Sequence, residues 1–90
     1  MKDMYQRPPQ QIRKSAYSVP MNIAGGNAKR TGKDKRHFLD ISMGSLEELH
    51  CQVRMVCDLH YIRLDQFAEV DQQINRVSFL LVRFRSSIQV

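Results

Sequence analysis

Apolar residues recur at Ile12, Ala16, Val19 and Ile23. Steps of four, three and four keep them on one side of a helix, so the spacing predicts a first helix over about residues 10–25. Pro8-Pro9 precedes it, and proline is tolerated in a first helical turn. Residues 1–9 show no period and read as an irregular arm. Pro20 falls inside the helix, removes one backbone hydrogen bond and predicts a kink near Ala16–Pro20. Gly25-Gly26 predicts the helix end through a left-handed cap. After a polar loop, a second stripe follows at Leu39, Ser42, Leu46, Leu49, Val53, Val56 and His60, with Met43, His50 and Cys57 beside it. It predicts a helix over about 32–59, roughly 40 Å long at the helical rise per residue. A turn at Tyr61–Leu64 and a capping Asp65 introduce Phe67, Val70, Ile74, Val77, Leu81, Phe84 and Ile88. That unbroken alternation of three and four predicts a third helix over about 65–88. Three helices with short links predict an all-α fold, an antiparallel up-down helical bundle forming one domain over residues 1–90.

A chain of 90 residues builds only one small core, worth a few kcal/mol, so a supplement is expected. Cys51 and Cys57 lie six residues apart on one predicted helix, point to different faces and cannot bridge. A reducing, cytoplasmic compartment is therefore expected. The longest apolar run, Phe79–Val82, is far too short for a membrane span, and no basic-then-apolar leader is visible. Oligomerisation is the supplement left. Phe38, Ile41, Leu80 and Val82 fall off their stripes, and exposed apolar surface of that kind predicts a homo-oligomer.

Fourteen Lys and Arg stand against nine Asp and Glu, a net charge of +5. The excess is uneven: residues 1–37 hold nine basic and two acidic side chains, residues 38–90 five and seven. Lys29, Arg30, Lys33, Lys35 and Arg36 crowd the start of the second helix, whose exposed amides favour anions. Arg13 and Lys14 on the first helix join them if the hairpin brings them round. Such a patch suits phosphates, and a solvated charged loop is the alternative reading of the same residues. No aromatic is interleaved before Phe38, so base stacking is not signalled.

An interior glycine costs up to about 1 kcal/mol relative to alanine. Gly44-Ser45 therefore predicts a close approach of another helix there. Asn22 and Glu48 are placed for a buried polar contact between helices; two exposed polar residues are the alternative. Cys57-x-x-His60 with His50 falls short of the four ligands a structural zinc needs, so no metal or cofactor is expected. There is no Gly-rich phosphate loop, metalloprotease motif or nucleophile elbow, and no enzymatic activity is expected.

Gln11-Ile12-Arg13-Lys14-Ser15-Ala16, then Ser18-Val19-Pro20-Met21-Asn22-Ile23-Ala24-Gly25-Gly26, then Phe38-Leu39-Asp40-Ile41-Ser42-Met43-Gly44-Ser45-Leu46-Glu47-Glu48-Leu49 resemble the four-helix-bundle proteins encoded in intervening sequences of 23S ribosomal RNA genes. The resemblance runs from about Gln10 to Ile62, with the third helix matching in pattern. It implies a small helical bundle that assembles as a homopentamer and has no established enzymatic activity. It also implies kinship with accessory proteins of diversity-generating retroelements, which bind nucleic acid and a reverse transcriptase through a basic surface. By that resemblance Arg13, Lys14, Lys29, Arg30, Lys33, Lys35 and Arg36 are the candidate contacts. Gly25 stands where the family usually has an acidic residue. The family's first long helix is expected upstream of Met1, so a shortened member with three helices is expected, with a dimer as the alternative to the ring.

The function expected is binding to structured, ribosomal RNA through a basic face. The alternatives are a structural or interaction oligomer that binds no nucleic acid, and a relic reading frame without a role.

Overall fold

The computed structural model describes residues 8–90, so the predicted arm lies, apart from Pro8 and Pro9, outside the described residues. Three helices form: α1 (Gln10–Asn27), α2 (Gly32–Asp58) and α3 (Leu64–Ser87). Their ends fall within two residues of those the periodicity predicts. Among the described residues there is no strand.

Capping chemistry sets the boundaries. Thr31 precedes α2 with extended backbone, and its hydroxyl accepts the Asp34 amide at 3.1 Å. At the other end of α2, His60 takes a left-handed φ of 64°. The amides of His60 and Tyr61 then reach back to the Cys57 and Val56 carbonyls, each at 2.9 Å. This is the Schellman closure, built on histidine where glycine is usual. α3 starts one residue before Asp65. Its cap is Arg63, whose amide donates to the Gln66 side chain at 2.9 Å. Asp65 sits inside the first turn and accepts from Arg63 Nε at 3.0 Å instead of capping.

α1 continues through Pro20 to Asn27. Pro20 is exposed, and the carbonyl it deprives belongs to exposed Ala16, where water can replace the lost amide. Gly25 and Gly26 do not end the helix and have no positive φ. Ala16 faces out and Ser15 faces in, its hydroxyl satisfied by the Gln11 carbonyl at 3.2 Å. A serine passes as a core residue here because its one donor is satisfied within its own helix.

The helices alternate in direction. Ser18 meets Ser45 and Val19 meets Ser42; Asp40 meets Arg85 and His50 meets Asp71. α2 lies in the middle. No Cα of α1 comes within 8 Å of one in α3. Side chains still join across: Val19, Leu39, Leu46, Ile74 and Leu81 form the main core. A second cluster of Val53, Cys57 and Ile62 closes the far end. The result is a flattened rod of 47 × 21 × 15 Å.

Candidate nucleic-acid interface

The α1–α2 loop forms one tip of the rod. Lys29, Arg30 and Lys33 are exposed there, and Lys35 and Arg36 are half-buried. The Lys29 ammonium lies 4.9 Å from the centre of the Phe38 ring, which holds it on the tip by cation–π attraction. Arg36 is turned inward, and its Nη2 donates to the Ile88 carbonyl at 2.9 Å. It ties the chain end to α2 and is a structural residue rather than a free cation. Arg13 and Lys14 are exposed on α1, but Lys14 stands thirteen residues before the helix end, roughly 20 Å down the rod. The hairpin does not bring them round.

The tip gains two cations that charge counting along the chain misses. α3 runs back toward the loop, so Arg83 and Arg85 arrive at the same end. Residues 27–43 and 79–90 together hold seven basic and two acidic side chains. The other described residues hold five basic and six acidic. The signal was available only through the up-down order of the helices. Arg85 is engaged: Nε donates to Asp40 at 2.6 Å and Nη2 at 3.3 Å. That hydrogen bond holds the Asp40 carboxyl below its usual range, against a smaller desolvation effect, with the charges of Arg85, His37 and Arg36 adding.

The amides at the start of α2 contribute less than the sequence suggests. Asp34 sits in that first turn. The chain end also crosses it so closely that a Cβ on Gly32 would collide with the Gln89 carbonyl oxygen. What the tip offers an anion is therefore its exposed side chains rather than these amides.

The predicted close-packing residues are redistributed. Gly44 is exposed, with nothing within 4 Å of an added Cβ, so no helix crosses there and nothing in the structure explains glycine at 44. The close crossing lies at Gly25 and Gly26, against Phe38 and the Lys35 carbonyl. Phe38 is consequently half-buried by its own chain rather than left for a partner. Ser45 does bridge the helices, its hydroxyl 2.7 Å from that of Ser18. Asn22 Nδ2 donates to the Ser18 carbonyl at 2.8 Å and hydroxyl at 2.9 Å. Glu48 has no part in this network. It is exposed and accepts only from Gln52, one turn on, at 3.4 Å. Spacing alone cannot tell that Ser18 stands between Asn22 and α2.

Among the described residues no three His, Cys, Asp or Glu gather as a metal site. Cys51 is exposed and Cys57 buried, both as free thiols. The family model described as 23S rRNA-intervening sequence protein matches residues 6–83. No curated protein matches the chain.

Proposed function

The chain belongs to the 23S rRNA-intervening sequence protein family, and from that premise we propose that it is a binding protein, not an enzyme, whose ligand is structured RNA, ribosomal RNA foremost. The observation that carries the reading is the charge asymmetry of the rod, with seven basic side chains against two acidic at one tip. Lys29, Arg30, Lys33 and Arg83 are the exposed cations of that tip, with Lys35 behind them. Phosphate contacts supply the affinity, and A-form shape supplies the preference. Arg13 and Lys14 form a separate, minor contact along α1. The free thiols fit a reducing cytoplasm, where such an RNA resides. Among the described residues no helix is long and apolar enough to cross a membrane.

The test is titration of 23S ribosomal RNA fragments and duplex DNA of equal length over a salt series. With about four or five phosphates neutralised, log affinity should fall against log salt with a slope of roughly −3 to −4.5. Replacing Lys29, Arg30 and Lys33 by Glu should abolish binding with helicity intact. No binding at low salt, or a salt-independent affinity, overturns the reading. Equal affinity for both duplexes removes the RNA preference.

A further inference from the structure

Phe79 stands on the side of α3 turned away from the core. Val70, Ile74, Val77 and Leu81 pack inward, and the helical angle per residue puts Phe79 opposite them. The ring is 59% exposed. A single exposed ring is ordinary on a protein surface; the setting of this one is not. Arg76 stands three residues before it and Arg83 four after, both exposed, so a cation lies one turn away on each side. The Arg83 guanidinium lies over the ring, 5.6 Å from its centre. Gln72, Asn75 and Ser86 share that face, all exposed and uncharged. From Gln72 to Val90 there are three Arg and no Asp or Glu. The nearest acid along the helix, Asp71, is taken by His50 and Asn75.

We infer that this outer face of α3 is a stacking platform for unpaired nucleotides of an RNA strand. Charge complementarity selects a polyanion, and the ring between the cations selects one that carries π-faces between its charges. The order cation, ring, cation along the helix repeats the order phosphate, base, phosphate along a strand. Phe79 offers its ring to a base. Arg76 and Arg83, about 10 Å apart along the helix axis, offer guanidinium groups to the phosphates on either side. Stacking of this kind accepts any base, because every base has a π-face. Arg83 steadies the ring by cation–π attraction and brings its charge to the edge of a stacked base.

Arg83 also belongs to the cationic tip. A strand leaving a duplex held at the tip passes Arg83, Phe79 and Arg76 in that order. The platform rests on the RNA reading for its ligand, but it asks for contacts that the tip does not supply. The sequence hides it, because the loop cations and Phe79 are far apart along the chain. Phe38, the ring nearest those cations in sequence, is packed against Gly25 and Gly26 and covered by Lys29.

The test uses the full chain with two RNA probes, a blunt duplex and the same duplex with unpaired uridine tails at its ends. The tails should tighten binding roughly tenfold. Phe79→Ala should remove that gain and leave the affinity for the blunt duplex unchanged, with helicity intact. Arg76→Ala should lower the salt slope of the tailed probe by about 0.7 and leave that of the blunt duplex unchanged. Phe79→Trp, in a chain without tryptophan, should keep the gain and report it. Stacking on a base quenches indole fluorescence, so the tailed probe should dim the emission and the blunt duplex should not. Tails that add nothing, a gain that survives Phe79→Ala, or an emission indifferent to the tails overturns the proposal. If the tailed probe binds and dims the emission while the blunt duplex does not bind, only the tip reading falls. If the blunt duplex binds and the tails add nothing, only the platform falls.

Discussion

A Cβ built on Gly26 would stand 3.0 Å from Phe38 Cβ and 3.3 Å from the Lys35 carbonyl oxygen, whereas one on Gly44 meets nothing within 4 Å. Both glycines lie inside helices, although the sequence reads Gly26 as a helix end and Gly44 as the close crossing. At Gly44 alanine would lose nothing and gain helix propensity, so Gly44→Ala should stabilise by up to about 1 kcal/mol. At Gly26 the obstacle is the backbone of α2 and the stem of Phe38, neither free to give. Gly26→Ala should therefore destabilise by about 1 to 3 kcal/mol despite the same propensity gain. Urea melts of the two variants should move in opposite directions. Ser42 marks a similar limit. It is fully buried, and its hydroxyl donates to the Val19 carbonyl at 2.7 Å. Its place in the apolar stripe was readable, but the carbonyl that makes a buried hydroxyl tolerable was not.

The three elements were legible because each carries one dominant period, which brings their ends to within two residues even though neither Gly25-Gly26 nor Asp65 is the stop. What the period could not convey was how unequally they pack. α1 meets α2 closely, Ser18 against Ser45, the Val19 carbonyl against Ser42 and Gly26 against Phe38 and the Lys35 carbonyl. α3 is tied to α2 by polar links spaced along it: Arg36 to the Ile88 carbonyl, Asp40 to Arg85 and His50 to Asp71. Asp40 offers a test of these ties. The hydrogen bond from Arg85 depresses its pKa in the folded chain. A depressed carboxylate contributes stability that is full above its unfolded pKa and is lost as pH falls through the folded one. Asp40→Asn should lower stability at neutral pH, and the gap from the native chain should close as pH drops below the usual carboxylate range. Urea melts across that acid range check it. A gap independent of pH would separate Asp40 from the link.

At the scale of the whole rod, charge is polarised along the long axis. That polarity should tell on binding through charge alone: Glu at Lys29, Arg30 and Lys33 should remove RNA binding, and Arg83→Ala should lower the salt slope by about 1, with helicity unchanged in both. The salt titration and circular dichroism, run on both variants, check it. The +7 of residues 1–37 is plain in the sequence, which reads Lys29, Arg30 and Lys33 as crowding the start of the second helix. The structure brings Arg83 and Arg85 to that tip, turns Arg36 inward and leaves Arg13 and Lys14 far down α1. Each change follows from the path of the chain in space.

Three helices, their bounds to within two residues, the family and the cationic run before α2 are all legible along the chain. These are properties of short stretches, governed by hydrophobic spacing, capping groups and composition. Tertiary structure alone decided which small residue marks the close crossing, which polar groups satisfy one another and which cations are free. It also decided that α1 and α3 flank α2 without meeting. Those outcomes depend on distances between residues twenty to fifty positions apart, and no local period records them.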